Sequence, residues 1–324
     1  SKSGMPVVPV YILSEWRENH SWTGPIRQKF LCGSLESLEK NLETIGGKLV
    51  FRQGSAVDEL RKLIRETGAA ALYLNADPDP FGKFVEKSIT ALCRELGVEC
   101  HISHDVSLHA PGEVLTQASE PYKVYTPYSR NWLQREKQRP LSKPSDLATP
   151  AGIKSLALPT LKSWGLANPE VDLPAAGEKA ARDRLTQFLT KRIAGYSAAR
   201  DFPIASGTSR ISQDLRFGLI SIRTVYAKAV EYRENLPPAG RGGADVFIKE
   251  LAWREFYFAI LHHFPEVLDQ EFNPDWRGLW WAEPGENFEA WKKGRTGFPI
   301  VDAGMRELLA TGFMHNRVRM ITAM

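Results

Sequence analysis

Apolar runs of strand length alternate with amphipathic segments as far as residue 104, and beyond Gly177 only the helical period survives. The runs are PVVPVYIL (6–13), KLVFRQG (48–54), AAALYLN (69–75) and VECHISH (98–104). The spacing between them predicts helices over Gln28–Ile45, Ala56–Glu66 and Gly82–Leu96. Short apolar strands separated by helices bury both faces only in a parallel sheet covered on each side. The first part is therefore expected to be a doubly wound, Rossmann-like α/β layer. Gly46, Gly47 and Gly97, each between a helix and a strand, read as helix C-caps.

From Thr126 to about Asn168 the pattern breaks, with Pro127, Pro140, Pro144, Pro150, Pro159 and Pro169 interrupting any long periodic segment. This stretch reads as a connector. Its Arg130, Arg135, Lys137, Arg139 and Lys143 have the ordinary meaning of a solvated loop. After Gly177 the period predicts helices over Glu178–Ala194, Ser221–Glu234, Ala244–His263, Glu286–Lys293 and Ile300–Thr311. The expected organisation is an α/β domain over 1–125, a proline-rich linker over 126–168 and an all-helical domain over 169–324.

Composition removes several function classes. No run approaches the ~18–20 uninterrupted apolar residues of a membrane span, and the opening SKSGMPVVPVYIL has neither a basic n-region nor a cleavage site, so an intracellular, cytoplasmic protein is expected. Cys32, Cys93 and Cys100 are odd in number and lack ligand spacing, so neither disulfides nor a metal site is expected. The formal charge of +4 permits a nucleic-acid partner without requiring one. Trp276, Trp280, Trp281 and Trp291 fall close together, and large aromatics in a helical region most simply fill a core. There is no GxGxxG or Walker loop after a strand, and no HExxH or CxxC, so phosphate-loop, metallohydrolase and thiol chemistry lose ground.

Three segments of the helical part carry chemistry. In YSAARDFPIASGTSRISQDLRFG (196–218) a hydroxyl-rich loop runs into a helix, where hydroxyls, amides and Arg210 suit a phosphate, although an ordinary N-cap is the commoner meaning. In KELAWREFYFAILHH (249–263), Glu250, Trp253, Arg254 and Tyr257 recur at spacings of three and four, so one helix face presents a carboxylate and an indole a turn apart. An indole can stack on a flattened base while the carboxyl reads its polar edge. A solvent-facing Glu beside a core Trp is the plainer alternative. In KKGRTGFPIVDAGMRELLATGFMHNRVRMITAM (292–324), Asn316, Arg317, Arg319 and Met320 crowd one turn, which by itself describes an exposed basic helix.

Taken together, YxxxRDFP, GTSRxS, ELxWREFY, GxTGxPIVDAxMRxL and GxMHNRxRM occur in one order, and with them the chain resembles the photolyase and cryptochrome family, in wording most like the branch acting on cyclobutane pyrimidine dimers. The resemblance is strong over 196–324 and looser over the α/β part, where phrases such as PVYIL and LYLNADPDPFG carry it. It implies a helical FAD-binding domain, with Tyr196, Thr208, Ser209, Arg210, Ile211 and Ser212 at the phosphate and ribityl contacts and Arg254, Asn316 and Arg319 at further flavin contacts. It places Trp253 against the flipped dimer and Glu250 on its pyrimidine edge, with Asn316 and Met320 lining the pocket and Arg200 and Arg317 on DNA phosphates.

The implied reaction is light-driven electron transfer from reduced FAD to the dimer, in DNA bound by a monomer with no obligate protein partner. Trp281 matches the outer, solvent-side member of the family's electron-transfer tryptophans. A second, antenna chromophore, folate or deazaflavin, is expected near Asp77 and Asp79, which are also ordinary turn formers. The chain is further expected to be cut short at both ends, before the family's inner tryptophans and after its first strand. The competing readings are a cryptochrome that binds FAD without repair, a (6-4) photoproduct enzyme, for which His315 is the only hint, and a plain nucleotide-binding module.

Overall fold

The computed structural model describes residues 4–13, 24–280 and 282–323. Strands β1 (Val10–Leu13), β2 (Val50–Gln53), β3 (Ala71–Asn75) and β4 (Glu99–Ser103) alternate with helices α1 (Pro25–Glu43), α2 (Ala56–Thr67) and α3 (Pro80–Leu96). All pairing is parallel. Among the described residues it forms two ladders, β1 with β2 (Val10 opposite Val50) and β3 with β4 (Ala71 opposite Glu99), rather than one continuous sheet.

Helices nevertheless cover both faces, as expected of a doubly wound layer. Leu60 and Ile64 of α2 and Ile89, Leu92 and Cys93 of α3 pack with Val10 and Ile12 of β1 and Leu72 and Leu74 of β3. On another face, Leu31 and Leu35 of α1 meet Leu49 and Phe51 at β2. Helix ends follow local chemistry. Ser55 caps α2 by accepting from the Asp58 amide at 3.5 Å, Asp79 caps α3, and Gly68 and Gly97 close those two helices in the left-handed region at φ 63° and 69°.

The remaining helices are α4 (Tyr125–Gln134), α5 (Glu178–Lys191), α6 (Tyr196–Ala199), α7 (Ser212–Arg216), α8 (Ile222–Asn235), α9 (Pro238–His263), α10 (Glu286–Lys292), α11 (Pro299–Thr311) and α12 (Asn316–Thr322). No helix among the described residues is long and apolar enough to cross a membrane. Central to them is α9, which buries Phe247, Leu251, Phe256 and Ile260. Each such side chain is worth ~1.5–3 kcal/mol of burial. It begins six residues earlier than the period indicates, because Pro238 supplies a preorganised first position.

The expected connector departs from expectation in one respect, because its first residues form α4. Tyr128 and Trp132, one turn apart, are 2% and 0% exposed and join the core built around α9. Lys137, expected in a solvated loop, is half-buried and lies 4.1 Å from the Trp132 ring centroid. The tryptophans expected to fill a core divide. Trp276 and Trp280 are exposed, on a stretch with only a short 3-10 turn, whereas Trp291 packs on Met305 and Val318 and donates to the Thr322 carbonyl at 2.8 Å.

Candidate functional site

Close packing of α9 on the chain before α6 creates the site. At Gly243 a Cβ would lie 2.1 Å from the Ile193 carbonyl oxygen and 2.5 Å from that of Ala194, so α9 crosses the 193–195 turn at a distance only glycine permits. This crossing sets Tyr196 and Arg200, at the two ends of α6, against the α9 face that bears Glu250 and Trp253.

Arg200 is the hub. Its Nη1 donates to Glu250 Oε1, and its Nε lies 3.5 Å from Asp201 Oδ1. Asp201 Oδ1 accepts in turn from Arg317 Nε at 3.1 Å and from Arg317 Nη2, which ties α12 to the end of α6. The Arg317 guanidinium holds the Asp201 carboxyl below its ordinary range. Tyr196 is buried, with the Arg200 guanidinium 5.9 Å from its ring centroid, and burial, reinforced by Glu250, pushes its phenol up to about 12. Glu250, Arg200, Tyr196 and Arg317, assigned by the resemblance to lesion, phosphate and flavin, lie together here, linked through an acid–base chain in which Asp201 is an unforeseen member.

Trp253 is partly buried, and its indole stacks on Tyr125 with centroids 3.5 Å apart and planes 8° from parallel. Phe256 meets it edge-on at 5.8 Å, and exposed Tyr257 lies nearly parallel at 5.7 Å. Arg254 turns to the other flank of α9, where Nη1 donates to the Val106 carbonyl and the guanidinium sits 4.7 Å from the Phe258 centroid. Desolvation lowers its pKa to about 10, against the opposing pull of the neighbouring Glu255. Next to it, Glu255 is 2% exposed and accepts from the Leu108 amide at 2.5 Å, the His109 amide at 3.3 Å and Trp132 Nε1 at 2.7 Å.

The hydroxyl-rich loop lies between α6 and α7. Arg192 Nη1 donates to the Ser206 and Thr208 carbonyls at 3.2 and 3.3 Å and shapes it, while buried Ile211 anchors it in the core. Arg210 adopts a left-handed φ of 52°, lies 4.0 Å from the Phe313 centroid and reaches Glu307 at 3.5 Å. Among the described residues, the hydroxyls of Thr208, Ser209 and Ser212 and the backbone amides of 207–214 engage no acceptor or donor. A concentration of unengaged donors on a fixed loop fits an anionic ligand such as a diphosphate.

At α12, His315 is the N-cap. Its Nδ1 accepts from the Arg317 amide at 3.2 Å, and its buried Nε2 has no partner. Asn316, Arg319 and Met320 are exposed, and Arg317 Nη1 contacts Met320 Sδ at 3.6 Å. Trp281 lies outside the described residues. Asp77 and Asp79 are engaged locally, Asp77 accepting from the Asp79 amide and Asp79 from that of Phe81, each at 2.9 Å. Sequence reasoning missed Tyr125 and Glu255 as well as Asp201. A signal for Tyr125 lay in the aromatic pair Tyr125 and Tyr128, spaced for one helix face.

Known proteins similar to this chain include photolyases and a cryptochrome. A family described as DNA photolyase matches residues 1–147, and one described as the FAD binding domain of DNA photolyase matches 247–324. A deoxyribodipyrimidine photo-lyase of Agrobacterium fabrum is 36% identical over 331 residues, covering 99% of this chain and 67% of the relative. The solved class III photolyase of Agrobacterium tumefaciens superimposes with a TM-score of 0.90 at 34% identity, over 99% of this chain and 67% of that one. A cryptochrome of Synechocystis gives 0.88 at 25% identity, over 99% and 69%. The chain spans about two thirds of the length of the curated relatives it matches.

Proposed function

Since this chain belongs to the DNA photolyase family, we propose that it is the α/β and flavin-holding part of an enzyme that repairs cyclobutane pyrimidine dimers in DNA. The observation that carries the reading is the convergence of Glu250, Trp253, Arg200 and Arg317 at the junction of α6, α9 and α12. A base-reading carboxylate and indole flanked by two guanidiniums are what a flipped dinucleotide with its phosphates requires.

When bound and reduced, FAD supplies the photoexcited electron that opens the cyclobutane ring. Each role of the protein follows from its own groups. The hydroxyls of Thr208, Ser209 and Ser212 and the free amides around them would hold the diphosphate, with Arg210 and Tyr196 beside them. Arg254, Asn316 and Arg319 complete the flavin positions, and the half-buried guanidinium of Arg254 would pair with an anionic neighbour. Trp253 offers a π-face to the dimer and Met320 a polarizable wall. The Glu250 carboxylate accepts from the N–H edge of the pyrimidine and orients the dimer. Arg200 and Arg317 take the backbone phosphates on either side of the lesion. The Asp77–Asp79 turn remains the proposed antenna contact, through its exposed surface.

The deciding test is light-dependent loss of dimers from DNA by the reduced whole protein, with undamaged DNA and darkness as controls. Repair that disappears in Trp253→Ala supports the reading. A flavin absorbance change on illumination, with no loss of dimers, would sink it and favour a cryptochrome that binds FAD without repair.

A further inference from the structure

We infer that Tyr125 is a positioning residue for Trp253, fixing the plane of the indole so that the face turned away from Tyr125 meets the dimer. The inference rests on the repair reading above. The two rings are stacked at 3.5 Å and 8°. The Tyr125 hydroxyl donates to the Lys249 carbonyl at 2.7 Å. Lys249 is four residues before Trp253, so its carbonyl is the one the α-helical ladder pairs with the Trp253 amide. One tyrosine therefore grips both the side chain of Trp253 and the turn of α9 that bears it.

The neighbours limit the alternatives. Phe256 stands edge-on to both rings, 5.9 Å from Tyr125 and 5.8 Å from Trp253, and closes the side of the stack. An unsupported indole on a helix surface exchanges rotamers, and a base arriving on it must first freeze that motion. With one face covered by Tyr125, an edge by Phe256 and the exposed Tyr257 ring nearly parallel at 5.7 Å, the indole is held before any ligand arrives. The phenol is a dependable donor, since burial and the nearby Glu250 carboxylate push its pKa up to about 12. Tyr125 is the first residue of α4, which docks on α9 through Tyr128 and Trp132, so the support is rooted in the core rather than in a loop.

The experiment compares Tyr125→Leu, Tyr125→Phe, Trp253→Ala and the double variant Tyr125→Leu/Trp253→Ala in the whole protein, reading dark affinity for dimer-containing and undamaged DNA, and KM against kcat under light. Tyr125→Leu is expected to weaken dimer affinity and raise KM about tenfold, a fraction of one base–aromatic stack, while affinity for undamaged DNA stays constant. Tyr125→Phe, which keeps the ring, restores most of the loss. In the Trp253→Ala background the same change has no further effect. Should Tyr125→Leu not fold, Tyr125→Met keeps the volume without the ring. Wild-type dimer affinity in the ring-less variant, or an equal loss with and without Trp253, overturns the inference. If Trp253→Ala itself leaves dimer affinity unchanged, the repair reading fails together with it.

Discussion

Arg200 and Glu250 are ion-paired across the α6–α9 contact, so the guanidinium proposed for a DNA phosphate is held by the carboxylate proposed for the lesion. Asp201 holds Arg317 in the same way. Both guanidiniums proposed for phosphate are thus aimed and partly neutralised, and a phosphate would have to compete with a carboxylate for each of them.

Glu250→Gln frees Arg200 of that competitor. Undamaged DNA is expected to bind about threefold more tightly, and one more effective phosphate contact steepens the dependence of log affinity on log salt by about 0.9. Repair of dimers falls in the same variant, because a neutral amide accepts from the pyrimidine N–H less strongly than a carboxylate does and no longer holds Arg200 in place. Filter binding between 50 and 200 mM salt, with a parallel repair assay, separates the two effects. An unchanged salt slope would mean that Arg200 does not reach phosphate.

Glu255 stabilises rather than reacts. Three donors from two segments converge on it, from Leu108, His109 and Trp132, and Arg254 lies alongside. Glu255→Gln turns an NH2 toward N–H donors and removes the charge facing Arg254, a loss of about 2–4 kcal/mol. The urea midpoint should fall accordingly, whereas the affinity for DNA of the protein that remains folded stays near wild type.

Strands and helices were legible in the sequence because burial imposes period 2 or 3.6 on any chain that folds this way. Helix α4 was not, because Pro127 reads as an interruption. It occupies the first turn, where a missing amide leaves no ladder bond unmade. Strand pairing was equally hidden, since an apolar run carries no record of which neighbour it will join. At the candidate site, residue types and helical spacing singled out Glu250 and Trp253 on one face of α9. Their partners were out of reach, because Arg200 is 50 residues from Glu250 and Asp201 is 116 from Arg317, and an ion pair leaves no periodic trace. Glu255 was misleading by its nature, as a carboxylate in a helix normally marks the solvent side.

Lys137 gives the fold a pH dependence. Its ammonium donates to the Arg135 carbonyl at 2.7 Å and to that of Trp132, but desolvation lowers its pKa to about 8 from the 10.5 of a free lysine. Between those values the unfolded chain keeps a proton that the folded chain has released, so this group makes stability rise with pH across that window. Tyr128, whose phenol burial pushes upward, opposes the rise above pH 10. Comparison is cleanest from pH 7.5 to 9.5, where the urea midpoint of the wild type should climb relative to that of Lys137→Met. Parallel curves would place the amine in solvent.

Gly243 and Gly242 make opposite predictions for one substitution at adjacent positions of α9. Replacing either by Ala raises helix propensity by about 1 kcal/mol. At Gly242 an added Cβ meets nothing within 4 Å, so Gly242→Ala should be stabilising by roughly that amount. At Gly243 the same atom would sit 2.1 Å from the Ile193 carbonyl oxygen and 2.5 Å from that of Ala194, and these are backbone atoms that cannot rotate away. Relief requires α9 to lift from the 193–195 turn, at an overpacking cost of about 1–3 kcal/mol or more. The clash outweighs the propensity gain, and the lift also draws Glu250 away from Arg200. Gly243→Ala should therefore lower both the urea midpoint and dimer repair, while Gly242→Ala raises the first and leaves the second unchanged. Equal effects at the two positions would show that the close crossing of α9 does not position the site.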